Sequence, residues 1–214
     1  MFANLAKPLA IRLCFISRYY PSSFEKASAI TLFNMSLPKR IALVAACALI
    51  YYVIFYLNKL LFDTYEFSYG VNWVFIPSGF QLLIVLIAAV DGAIGITLAS
   101  IAIGFELYFL ESSIRTLITA FIAGGSPLLA RKICFDFLGV DKELTKITFK
   151  AILQMSFIFA SISATLHQLW YYFNDKSDTF IQSLLVMALG NLLGTALVLT
   201  TLKLLTPKID KVPL

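Results

Sequence analysis

The chain has 214 residues, of which 60% are hydrophobic and only 14% charged. A soluble domain carries about 25% charge on its surface, so this composition excludes an ordinary soluble protein and makes the bilayer the expected solvent and partner. The formal charge of +5 does not point to nucleic acid, because the basic residues lie in short stretches between apolar runs, where they set topology.

Residues 1–40 form a basic tail, with Lys7, Arg12, Arg18, Lys26, Lys39 and Arg40 among apolar residues and Pro8, Pro21 and Pro38 interrupting any long helix. About 40 residues precede the first full apolar run and no small-residue cleavage site follows it, which argues against a cleaved signal peptide. Met35 directly precedes a basic, span-ready segment, so residues 1–34 read as a surplus start. Six apolar segments follow, at 41–62, 72–90, 92–110, 113–131, 147–173 and 180–206, each near the 20 residues that cross a hydrocarbon core. The predicted fold is all-α, a polytopic bundle of about six transmembrane helices. One membrane domain fills 41–206, and a short tail at 207–214 closes the chain. Tight turns at Asp91-Gly92 and Glu111-Ser112 pair neighbouring helices antiparallel.

Orientation follows from the cations. With the N-terminus inside, fourteen of the 17 Lys and Arg residues fall on the internal side: the six of the tail, then Arg131, Lys132, Lys142, Lys146, Lys150, Lys203, Lys208 and Lys211. Only Lys59, Arg115 and Lys176 fall outside. This bias predicts a bacterial inner-membrane protein with both termini cytoplasmic. Tyr65, Tyr69, Trp73, Tyr108, Trp170, Tyr171 and Tyr172 then form an outer aromatic belt.

The second segment opens on Asn72-Trp-Val-Phe-Ile-Pro-Ser-Gly-Phe-Gln81, where Pro77 and Gly79 are expected to loosen a helix whose freed carbonyls need partners within the protein. Ionisable groups inside spans are costly and hence functional candidates, and Glu106 and His167 are the two. Counting from helix ends puts both at one depth, with Asn72, Trp73 and Gln81. The expectation is a ligand pocket lined by Asn72, Trp73, Pro77, Gly79, Gln81, Glu106 and His167; a Glu106–His167 pair would make it respond to pH in the histidine range. The alternative is that each side chain snorkels separately to the interface.

Small residues at four-residue spacing, Gly95 with Ala99, Ser100 with Gly104 and Gly190 with Gly194, predict close helix packing. Along the fifth span Ser156, Ala160, Ser163, Ala164 and His167 make one small, weakly polar stripe. Asn191 can hydrogen-bond across the bundle. Gly124-Gly125-Ser126-Pro127 predicts a kink or break in the fourth span, since Pro127 removes one backbone hydrogen bond. Cys14, Cys47 and Cys134 are far apart and form no C-x-x-C, which argues against a disulfide framework or a zinc site, and one histidine gives little basis for a metal. No catalytic motif is present, so neither an enzyme nor a cofactor is expected.

Phe75-Ile76-Pro77-Ser78-Gly79, Gly190-Asn191-Leu192-Leu193-Gly194 and the stretch from Ala123-Gly124 to Arg131-Lys132 resemble the first type of membrane-associated sensor (MASE) domain over roughly residues 70–206. The family usually has Trp where this chain has Phe75, and it tends to have more spans. The resemblance implies a sensory or ligand-binding module for an unknown small ligand. Such domains normally feed a histidine kinase or cyclic-dinucleotide enzyme on the same chain, so here signalling is expected through a separate partner protein. The competing reading is a small transporter, or the substrate-binding subunit of one, motivated by the helix-disturbing residues in the second and fourth spans.

Overall fold

A computed structural model describes residues 35–68, 70–107, 113–139, 148–174 and 179–205. The basic tail before Met35, Cys14, Tyr69, Tyr108, the Glu111-Ser112 turn, the loop 140–147, Lys176 and the tail 207–214 lie outside the described residues. Helix α1 (Leu37–Phe62) leads through a single helical turn (Asp63–Tyr65) into a small antiparallel hairpin of β1 (Glu66–Ser68) and β2 (Val71–Asn72). Then come α2 (Ile76–Leu107), α3 (Ser113–Phe137), α4 (Phe149–Tyr172) and α5 (Phe180–Leu205). All five helices are long and apolar enough to cross a membrane, so the fold is all-α with one hairpin at one end.

The second and third predicted spans are joined in α2, whose 32 residues would reach about 48 Å if straight. They do not run straight. Ile76 donates its N–H to Asn58 Oδ1 at 3.0 Å, and thirty residues later Glu106 meets Tyr52 and Tyr56 on the same end of α1. The chain must double back between them, and it does so at Ala89, the one residue of α2 with non-helical backbone (φ 48°, ψ −122°). Gly92 folds against Ile84, where an added Cβ would sit 2.8 Å from the Ile84 carbonyl oxygen; residues eight apart in a straight helix are about 12 Å apart. Leg 76–88 therefore runs antiparallel to α1 and leg 90–107 parallel to it. The reversal sits two residues before the predicted Asp91-Gly92 turn and needs no loop: α2 is two helical legs, 76–88 and 90–107, that meet at Ala89.

At the reversal Asp91 is buried and takes both nitrogens of an Arg40 fork, at 2.6 and 3.1 Å. Further along, Gly95 lets leg 90–107 approach Val44 and Cys47 of α1, and Gly104 seats Thr116 of α3. Leg 76–88 is the centre of the molecule. Its Val85 and Ile84 pack with Cys47 and Tyr51 of α1, while Leu82 and Leu86 join Ala130, Cys134, Ile152, Phe159 and Leu199 from α3, α4 and α5. Ser156, Ala160, Ser163, Ala164 and His167 on α4 are all buried, so the small stripe faces inward. Tyr65, Trp73 and Tyr172 are exposed at the hairpin end, but Tyr171 of the expected belt turns inward.

A candidate functional site at the hairpin end

Between β2 and α2 residues 73–75 belong to no helix or strand, and backbone freed from regular structure inside a bundle must find partners there. Phe75 donates its N–H to the Gly190 carbonyl (3.3 Å), and Ile76 uses Asn58. The Ser78 hydroxyl lies 2.7 Å from the Phe75 carbonyl and 2.9 Å from that of Asn191, sharing one proton between them, and accepts from Thr195 at 3.2 Å. Helix α5 thus carries most of the load, and it comes close enough only because residues 190 and 194 lack side chains. A Cβ at Gly190 would fall 2.1 Å from the Asn72 carbonyl oxygen, and one at Gly194 2.0 Å from that of Phe75. The small-residue pair serves the packing predicted for it, against the non-helical backbone at 72–75 and the first turn of α2.

Two expectations change here. Pro77 does not loosen a helix, because α2 begins at Ile76 and Pro77 lies in its first turn, where a missing N–H leaves nothing unpaired. Gly79 likewise opens no backbone; it faces α5, where a Cβ would lie 2.6 Å from Val198 Cβ and 2.7 Å from the Gly194 carbonyl oxygen.

Below the hairpin lies a cavity of about 160 Å³. Its buried wall holds Asn58, Gln81, His167 and Asn191, none more than 9% exposed. The aromatic wall is Tyr51, Phe55, Phe75 and Tyr171, and Glu66, Gly70 and Asn72 of the hairpin stand at its mouth with Lys59 and Arg115 from the adjoining helix ends. His167 Nδ1 is 2.8 Å from the Ser163 carbonyl oxygen, which can only accept, so the ring proton is on Nδ1 and, in the neutral ring, Nε2 offers a lone pair.

Pro127 contributes without breaking anything. Helix α3 runs from Ser113 to Phe137 with Pro127 inside it, so the expected break does not occur. With no N–H on Pro127, the Ala123 carbonyl loses its partner one turn back, and Gln81 Nε2 takes it at 3.4 Å while also donating to the Tyr51 hydroxyl at 3.0 Å. The neighbouring Gly124 packs against Thr97 and the Ala93 carbonyl of leg 90–107. Gly125 does no packing: it is exposed and an added Cβ would meet nothing within 4 Å.

Of the residues expected to share a pocket, Asn72, Gln81 and His167 line the cavity, whereas Trp73, Pro77, Gly79 and Glu106 do not. Trp73 is 46% exposed and meets Phe67 edge-on. Glu106 accepts hydrogen bonds from Tyr52 (2.8 Å) and Tyr56 in a shallow groove on the far side of α1 and leg 90–107. It shares a level with His167 but not a face, so no Glu106–His167 pair forms. Asn58 and Tyr51 are among the cavity residues that sequence reading missed; their seven-residue spacing on α1 was the available signal. Among the described residues no three metal-ligating side chains come together, and Cys47 and Cys134 are free and buried. Comparison with protein families, with curated proteins and with solved structures finds no match.

Proposed function

We propose that this chain is a membrane module that binds a small ligand in the cavity beneath the hairpin and passes its occupancy to a separate partner protein, the role implied by the resemblance to MASE domains. The reading is carried by one observation: Asn58, Gln81, His167 and Asn191 are buried around a space that their own hydrogen bonds do not fill. Such a pocket, apolar in body with a few convergent polar groups, is the usual form of a small-molecule site. Native mass spectrometry of the protein released from its membrane tests it. A small molecule should be retained by the wild type and lost from Asn58→Leu and Gln81→Leu proteins that still fold; equal retention by both variants would refute the site.

On this reading the chain crosses the bacterial inner membrane six times, the two legs of α2 counting separately, with both termini cytoplasmic and the cavity toward the outer face. The reversal at Ala89 and the fourteen-to-three distribution of cations support it. Alkaline phosphatase fused after Ser177 should be active, and fused after Asp91 or Asp141 inactive. Activity after Asp91 would discard the hairpin and the count of six.

A carrier is the second reading, favoured by the non-helical stretch at 73–75 leading into the short leg 76–88, since broken helices commonly flank transporter sites. Uptake of the retained molecule into liposomes holding the purified protein alone would favour it over sensing.

A further inference from the structure

The groups left open in the cavity narrow what can occupy it, an inference that rests on the ligand-binding reading above. Gln81 commits its amide hydrogens to Tyr51 and Ala123, so its Oε1 has no donor among the described residues. His167 commits Nδ1–H to Ser163, and Nε2 is in the same position. Both side chains are more than nine-tenths buried. A buried acceptor without a donor loses its hydration uncompensated, so an occupant that supplies hydrogens to these two atoms gains where an apolar one cannot. Asn58 complements them, because its Oδ1 receives the Ile76 N–H and its amide hydrogens remain for an acceptor.

Charge and size limit the occupant further. Lys59 is in the last turn of α1, Arg115 in the first turn of α3 and Glu66 on β1, so the formal charges that line the cavity all stand at its mouth. Buried around Gln81 and His167, a charged group would lose its hydration with no counter-charge beside it. A volume of about 160 Å³ is close to the roughly 150 Å³ of a cavity that holds benzene. We infer that the site takes an uncharged, single-ring molecule bearing at least one N–H or O–H donor and a carbonyl, in the chemical class of lactams and pyrimidine bases.

Matched probes test this on the full wild-type chain in lipid nanodiscs, followed by saturation-transfer NMR and thermal unfolding. δ-Valerolactam and uracil should bind at millimolar concentration and raise the unfolding temperature. N-Methyl-δ-valerolactam and 1,3-dimethyluracil keep ring and carbonyl but lack any N–H donor, and should bind at least about tenfold more weakly, the equivalent of one hydrogen bond of about 1.4 kcal/mol. 5-Aminovalerate, the charged open-chain counterpart of the lactam, should not bind. Gln81→Leu, checked for cooperative unfolding, should shrink the difference between each methylated pair. Equal binding of the methylated probes, or preference for aminovalerate, would overturn the inference while leaving a ligand site in place. Binding of no probe would overturn it too, with the cavity then holding water; a co-purifying molecule in native mass spectrometry would still uphold the broader function.

Discussion

Replacing Gly194 with alanine puts a methyl group 2.0 Å from the Phe75 carbonyl oxygen, 2.6 Å from its carbon and 2.8 Å from Ser78 Oγ. Carbon–oxygen contacts settle near 3.3–3.6 Å, so the 73–75 segment and the helix must part by more than about 1 Å. The two nearest atoms, both of Phe75, are backbone and not the loose end of a side chain. Overpacking of this kind costs about 1–3 kcal/mol, and the separation strains the Phe75–Gly190 and Ser78–Asn191 hydrogen bonds, together worth about 1–2 kcal/mol. Alanine returns about 1 kcal/mol of helix propensity. The net expectation is a loss of about 1–4 kcal/mol, measured by reversible denaturant titration in mixed micelles with circular dichroism. Gly125→Ala is the control: with nothing within 4 Å of the new methyl, it should gain up to about 1 kcal/mol from propensity alone. A Gly194→Ala protein within about 0.5 kcal/mol of wild type would refute the claim that α5 supports the non-helical backbone at 73–75.

Ala89 holds a left-handed φ of 48° that suits glycine, so Ala89→Gly should raise stability by about 1 kcal/mol in the same titration. Pro127→Ala supplies an N–H that competes with Gln81 for the Ala123 carbonyl; retention of the bound molecule should fall several-fold in native mass spectrometry while α3 persists. Glu106→Gln should leave that retention unchanged and His167→Gln should lower it. Their double variant should equal the sum, because residues without contact or shared partners act additively.

The helices were legible because twenty-residue apolar runs have few alternatives, and Gln81, Asn72 and His167 reached the cavity as the sequence suggests. Glu106 did not, and the reason is geometric. Counting from helix ends measures depth, whereas the direction a side chain faces depends on rotation about the axis and on the neighbour it meets. The i, i+4 pair Tyr52 and Tyr56 supplies two hydroxyls on one face of α1 and fixes Glu106 there. Pro127 misled for a related reason: the sequence shows that a carbonyl is released but not that a glutamine from another helix stands ready to take it. Asn58, next to Lys59 at a span end, reads as an interfacial polar residue until the Ile76 N–H is seen to need it.

The reversal at Ala89 bears on how the chain enters the bilayer. Leg 76–88 is about 20 Å long at 1.5 Å per residue, short of the roughly 30 Å of hydrocarbon, and it carries Ser78 and Gln81. By itself it is a poor substrate for lateral release from a translocation channel. On the six-crossing topology the two legs of α2 should partition as a pair, the second bringing the length the first lacks, with α1 already in place to offer Asn58 and Tyr51. The Arg40–Asp91 bridge would then form as the hairpin tip emerges on the side where α1 began, making membrane integration of the centre of this protein one concerted event instead of two successive ones.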